Sequence, residues 1–251
     1  KEVFFIKVLA INGSPRGERS STAHILNPLL EGMRRAGATT EIIHLSKLKI
    51  NNCLGCYLCW TKTPGKCIQK DDMEALLEKF INSDAVILGT PLYHFTMSGL
   101  LKNFIERTLP VCEPWLIENP NIPGATTHPE RYEKPTAMGL VSPCGFPEFS
   151  HFDTLSAWFK HYVKETGKKN LGEIYRPSAE ALTREEMQDY FKTYYDSVRT
   201  AGEEMIKLGS ISEDVEEQLK WNLFPGDSES FRKKANEHWT VMIEKYKKHG
   251  E

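Results

Sequence analysis

Val3-Phe-Phe-Ile-Lys-Val-Leu-Ala-Ile11-Asn-Gly-Ser14-Pro-Arg16-Gly-Glu-Arg19-Ser20-Ser21-Thr22 begins as an apolar run and breaks into small, hydroxylated and basic residues before a helical pattern starts. A run this short, bounded by turn residues, reads as a strand buried on both faces of a parallel sheet. The polar residues then occupy the turn from strand to helix, at the sheet edge where α/β proteins bind ligands. Backbone N–H groups and hydroxyls there can converge on a phosphate, which the helix dipole also favours. Only Gly13 and Gly17 are present, so the segment lacks G-x-G-x-x-G, and it lacks the Gly-Lys-Ser/Thr of a triphosphate loop. It suits a phosphate monoester. The same hydroxyls would also serve simply as a helix cap.

Outward from this unit, strand-like and helix-like segments alternate. Strands are expected at residues 3–11, 41–45, 85–89, 136–141 and 171–175, and helices at 20–35, 72–82, 98–108 and 152–166, each opened by a capping residue. The class is therefore α/β, a doubly wound five-stranded parallel sheet, in a domain spanning residues 1–176. Six prolines between Pro110 and Pro135 mark an irregular excursion, anchored by Trp115 and Tyr132. Residues 177–251 read as a helical extension. Thr183-Arg-Glu-Glu186 forms a capping box that opens a long amphipathic helix running to Leu208. Trp221 to Gly226 then makes an apolar turn, and a second helix covers 228–248.

With 251 residues and a formal charge of −2, the chain offers no global electrostatic attraction for nucleic acid or an anionic membrane. Lysines gather near the end (Lys233, Lys234, Lys245, Lys247, Lys248), where a solvated helix face accounts for them. The apolar opening is too short to span a membrane and leads into no cleavage site, so a cytoplasmic location is expected.

Four of the six cysteines fall in Cys53-Leu-Gly-Cys56-Tyr-Leu-Cys59-Trp-Thr-Lys-Thr-Pro-Gly-Lys-Cys67. Thiolates two residues apart can share one soft metal centre, and a fourth can reach it from beyond the Pro64-Gly65 turn. Three closely spaced cysteines fit a [4Fe-4S] cluster better than structural zinc, whose ligands come as two separated pairs. Metal-free thiols and zinc remain as the other readings.

In order and spacing, Gly13-Ser-Pro-Arg16 with Ser21-Thr22, the cysteine segment running into Asp71-Asp72-Met73, and Thr90-Pro-Leu-Tyr93 followed by Leu101-Lys102-Asn-Phe-Ile-Glu106-Arg107 resemble the flavodoxin-like NAD(P)H-dependent FMN reductase superfamily, in its iron-sulfur flavoprotein branch. The resemblance covers residues 3–175 and implies a flavodoxin-like sheet. It also implies FMN, with its phosphate held by Ser14, Arg16, Ser20, Ser21 and Thr22 and its ring against Pro91, Leu92, Tyr93, His94 and Phe95. Ser142, Cys144 and Gly145 would close over the other side of the ring. Tyr93 offers a stacking face and Gly145 permits close backbone approach, although each also has an ordinary structural role. His94 is the one candidate for polarising a flavin or substrate carbonyl. Arg107 would pair with Glu106 or another nearby carboxylate, without a chemical role.

The expected function is FMN-dependent electron transfer, with the cysteines Cys53, Cys56, Cys59 and Cys67 holding a one-electron relay if metallated. NAD(P)H is the implied reductant, and a small molecule or a redox protein the implied partner. The alternatives are a cluster-free NAD(P)H-dependent reductase of quinones, nitro or azo compounds or flavin, and a non-enzymatic electron carrier. Apolar positions on the C-terminal helices lead to an expected homodimer or homotetramer.

Overall fold

The computed structural model describes residues 6–223 and 227–249. Along the chain run β1 (Lys7–Asn12), α1 (Ser21–Arg35), β2 (Thr39–His44), α2 (Leu58–Thr61), α3 (Met73–Ile81), β3 (Ala85–Gly89), α4 (Gly99–Glu106), β4 (Ile117–Glu118), β5 (Thr126–Thr127), β6 (Ala137–Pro143), α5 (Asp153–Glu165), β7 (Lys169–Arg176), α6 (Lys192–Lys207), α7 (Glu213–Leu219) and α8 (Ser228–His249). Five parallel strands form one sheet, as the sequence predicts, in the order β2-β1-β3-β6-β7. Residues 3–5 of the expected first strand, and 224–226 of the expected apolar turn, lie outside the described residues.

Alternation inside each central strand divides the core in two. Val8, Ala10, Ala85 and Ile87 face α1 and α6, packing on Ile25, Leu26, Leu29, Val198, Ala201 and Met205. Leu9, Ile11, Val86 and Leu88 face α3, α4 and α5, packing on Leu76, Phe80, Phe104, Leu155 and Phe159. Because both faces are covered, β3 is buried at every position and reads as a continuous apolar run, while the edge strand β2 is only partly buried.

Three helix starts depart from expectation. α5 opens on Phe152, whose apolar side chain caps nothing. Asp72 does not cap α3 with its side chain; its Oδ2 accepts instead from the Lys49 amide at 2.7 Å, tying the helix to the strand β2 exit. The capping box at Thr183 does not open a helix either. Residues Ala179–Thr183 and Glu185–Met187 form short 3-10 turns with Arg184 extended between them, and the Thr183 hydroxyl donates back to the Glu180 carbonyl at 3.0 Å. Leu182 and Phe191 are both fully buried, so the segment is pinned to the core at two points and α6 begins only at Lys192. The short α7 that follows is a separate helix, capped by Ser212 accepting from the Val215 amide.

The crossing of α1 and α6 is close enough to require glycine on both sides. A Cβ at Gly202 would lie 2.1 Å from the Leu29 carbonyl oxygen, and one at Gly32 would lie 1.9 Å from that of Arg199. Arg199 Nε also donates to Glu31 Oε2 at 2.6 Å across this crossing.

The proline-rich excursion folds back on itself. β4 and β5 pair as a small antiparallel ladder, and the Arg131 amide donates to the Val111 carbonyl at 2.7 Å. Tyr132 is partly buried against the core, but Trp115 stays exposed and anchors nothing. No helix among the described residues is long and apolar enough to cross a membrane.

Candidate functional site

Winding reverses between β1 and β3, so the loops leaving these strands diverge and a cleft opens at their carboxyl ends. Ser14, Arg16, Ser20, Ser21 and Thr22 line it from the β1–α1 turn, Pro91, Leu92 and Tyr93 from the loop after β3, and Cys144 and Gly145 from the loop after β6. These sequence-expected residues therefore share one cleft. Pro143, Ala179 and Glu180 complete the lining; the last two lie in the 3-10 turn beyond β7, for which the sequence carries no signal.

Asn12 organises the phosphate-loop geometry from the end of β1. Fully buried, it donates through Nδ2 to the Gly17 carbonyl at 3.1 Å, and its Oδ1 accepts from the Ser14 amide at 2.9 Å. Its Nδ2 also lies 3.0 Å from His44 Nδ1. An amide nitrogen can only donate, so His44 accepts at Nδ1 and carries its proton on Nε2, toward Glu18 Oε1 at 4.0 Å. Burial pushes the His44 imidazole below its ordinary pKa, which suits this neutral tautomer.

The two serines at the helix start divide the labour. Ser20 is the N-cap: its hydroxyl donates to the Gly17 carbonyl at 2.6 Å and accepts from the Ala23 amide at 3.1 Å. Ser21 and Thr22 occupy the first helical turn, where backbone N–H groups lack intrahelical acceptors. Thr22 Oγ1 is buried with no hydrogen-bond partner among the described residues. A buried hydroxyl left unsatisfied beside free helix-terminal amides marks a place for an anion.

His94, Phe95 and Ser142 stand apart from that lining. Ser142 is fully buried in β6, with its Oγ unpartnered among the described residues. His94 and Phe95 are exposed and left-handed, at φ 46° and 65°, in a turn closed by reciprocal hydrogen bonds between Tyr93 and Thr96. Each such residue costs about 1–2 kcal/mol. The turn carries Phe95 to within 5.7 Å of the His151 ring, which also packs on Phe146 at 4.7 Å. Three rings from three segments so form one aromatic cluster beside the cleft loops, with His151 Nε2 placed 3.2 Å from Glu148 Oε2. His151 sits in a 3-10 turn and escapes periodicity.

Backbone bonds extend the sheet into the cleft floor. Leu92 donates to the Pro143 carbonyl and Cys144 to that of Arg176, at 2.9 and 2.8 Å. Arg176 is itself buried and surrounded by the rings of Phe191, Tyr194 and Trp221, each 4.8–5.0 Å from its guanidinium carbon, and its Nη1 donates to the Trp221 carbonyl. Cys144 is buried too, and burial pushes its thiol pKa up, so it acts as a small packed residue and not as a ready thiolate.

The cysteine segment leaves β2 at the same edge of the sheet. Cys53, Cys56, Cys59 and Cys67 all line one small recess, closed beneath by Arg107 and Pro110. Left-handed Gly55 and Tyr57, at φ 59° and 55°, make the turns that bring them there. Burial pushes the Cys59 thiol up, and repulsion from Cys67, Cys53 and Cys56 adds to it. Among the described residues, however, no group of three or more His, Cys, Asp or Glu side chains is drawn close enough to hold a metal ion. Arg107 pairs not with Glu106 but with Asp71, bidentately at 2.7 and 3.0 Å and with both side chains buried, while also donating to the Asn51 carbonyl. Burial opposes ionisation of Asp71, yet Arg107 and the amides of Asn51 and Met73 hold its carboxyl below the usual range. Trp60 ties the segment to the excursion, donating to the Leu109 carbonyl and packing on His128 at 4.7 Å.

The family model for NADPH-dependent FMN reductases matches residues 6–139. An iron-sulfur flavoprotein of Archaeoglobus fulgidus is 41% identical over 103 residues, which are 41% of this chain and 49% of that protein. One from Methanocaldococcus jannaschii is 39% identical over 117 residues, 47% of this chain and 56% of its own length. The chain thus spans about half the length of the curated relatives it matches. Among solved structures, an FMN-dependent NADH-azoreductase from Bacillus anthracis in complex with FMN superposes with a TM-score of 0.59 at 14% identity, covering 80% of this chain and 100% of that one. An NAD(P)H:quinone oxidoreductase from Methanothermobacter marburgensis gives 0.56 at 14% identity, over 80% and 98%. At such identities the likeness is one of fold.

Proposed function

The chain belongs to the NADPH-dependent FMN reductase family, and on that premise we propose that it is an FMN-dependent oxidoreductase drawing electrons from a reduced nicotinamide. The observation that carries this reading is the cleft itself, where Thr22 keeps a buried, unsatisfied hydroxyl beside the open end of α1. Bound there, FMN would supply a centre able to exchange electrons singly or in pairs. Thr22, Ser21 and Ser14, with the first amides of α1, would hold the phosphate, and Arg16 would add charge at the exposed rim. Tyr93 and Leu92 would offer the ring a packing surface. Gly145, with no atom nearer to a built Cβ than Glu180 Oε1 at 3.7 Å, leaves room for it. The net reaction consumes NAD(P)H, a proton and an oxidised acceptor, and yields NAD(P)+ and the acceptor carrying two more electrons and two protons.

Cys53, Cys56, Cys59 and Cys67 would hold an iron-sulfur cluster, whose contribution is one-electron chemistry. Support comes from the all-thiol donor set around one recess and from the relatives' names. Arg107 places a positive charge beside Cys67. A cluster-free reductase is the second reading, favoured by sulfurs that are not drawn together.

Protein purified without oxygen, assayed for flavin, iron and acid-labile sulfide and then mixed with NADPH, tests both. The first reading expects flavin bands that bleach on mixing, with about four irons per chain. Bleaching without iron selects the second reading. Absence of bleaching after FMN is supplied would sink the oxidoreductase assignment.

A further inference from the structure

A groove of about 490 Å³ adjoins the cofactor cleft and shares Gly145 and Glu180 with it. Its far wall is α8, and neither that helix nor the turn beyond β7 lies within the residues matched by the family. The volume is that of a small-molecule site. Trp239 lines it, with its ring side chain largely exposed. Charged groups on the wall are mostly of one sign. Arg184 is exposed and makes no ion pair among the described residues, His238 stands on α8 next to Trp239, and Lys234 adds charge that it shares with Asp227. Glu180, the one acid among the described wall residues, sits at the seam with the cofactor cleft. Ser178, another wall residue, keeps a buried hydroxyl without a partner among the described residues.

We propose that this groove seats an aromatic acid, a planar ring bearing a carboxylate, sulfonate or phosphate, packed on Trp239 with its anion toward Arg184 and His238. An indole beside a guanidinium and an imidazole N–H matches a flat anion, since the ring supplies stacking area and the guanidinium a charge-assisted hydrogen bond. A neutral ring would leave the guanidinium unused, and a cationic one would be repelled. Continuity with the flavin cleft makes a bound acid that also carries a quinone the electron acceptor, the quinone taking two electrons and two protons to become a hydroquinone, a role that rests on the oxidoreductase reading; binding itself does not.

Titration of the FMN-loaded chain with naphthoate and with neutral naphthalenemethanol, followed by tryptophan fluorescence, tests the site directly. Trp239→Phe identifies the reporting indole. Naphthoate is expected to bind about tenfold tighter than the alcohol, with Arg184→Gln removing that preference. Arg184 is exposed, so circular dichroism of the variant should match that of the parent chain. Equal binding of the two probes, or an intact preference in the Arg184→Gln/His238→Gln double variant, would overturn the proposal. A second measurement compares naphthoquinone sulfonate with naphthoquinone as acceptors. Hydride from NADPH and one solvent proton convert either to its hydroquinone, and the sulfonate should show the lower KM, raised by Arg184→Gln at unchanged kcat. If naphthoate binds but neither quinone is reduced, the groove stands and the oxidoreductase reading fails. If both quinones are reduced alike and naphthoate does not bind, the groove assignment alone fails.

Discussion

Thr22 and Ser20 are neighbours on one turn with opposite duties, and substitution separates them. Thr22→Val deletes a buried hydroxyl that nothing in the fold satisfies, so thermal stability should hold within about 0.5 kcal/mol while FMN affinity drops about tenfold, measured by calorimetric titration. Ser20→Ala removes the cap of α1 and should cost about 1 kcal/mol in denaturant unfolding. A pH effect follows from His44. Burial depresses its folded pKa, with Glu18 opposing and Lys47 adding to the shift, so the folded state binds fewer protons than the unfolded one just below about pH 6.5. Its contribution is complete above that pH and is lost as pH falls through the folded value, because a protonated Nδ1 can no longer accept from Asn12. Melting temperature should therefore fall more steeply from about pH 7 to about pH 5 in the parent chain than in His44→Gln. At this scale the sequence exposed the hydroxyls of the loop but not Asn12 or His44. Their roles arise from a strand pairing 32 residues apart in sequence that no local pattern encodes.

Elements interlock where side chains are smallest. Gly202→Ala would drive a methyl into the Leu29 carbonyl, and α1 and α6 would have to separate. We expect a loss of about 1–3 kcal/mol or more in urea unfolding, with Gly99→Ala, which meets open space, as the silent control. The cysteine loop depends on a buried ion pair. Arg107→Met leaves the Asp71 carboxylate buried and unpaired, which should cost about 3–5 kcal/mol and loosen residues 51–67, read by hydrogen exchange. The strands were legible because burial on both faces writes continuous apolar runs such as Ala85–Gly89. The start of α6 was not. Thr183 and Glu186 satisfy a local capping pattern, but burial of Leu182 and Phe191 outweighs the one or two hydrogen bonds a cap provides.

The whole molecule places two recesses at one edge of a single sheet, the cleft at the β1/β3 divergence and the thiol recess after β2. That shared edge was readable from strand order alone, since parallel strands send their carboxyl ends the same way. The aromatic cluster of Phe95, Phe146 and His151 and the groove under α8 were not, because they join segments far apart in sequence. Val241, Ile243 and Tyr246 are exposed on α8 beyond the groove, and we expect light scattering to give at least twice the 28.7 kDa chain mass. Recognition of a flavin by its phosphate would make the cleft distinguish FMN from riboflavin. Parallel titration of the flavin-free chain with FMN and with riboflavin tests it most directly. FMN should bind about 100-fold tighter, an advantage that shrinks in Thr22→Val; equal affinities, or no binding of either, would contradict the account.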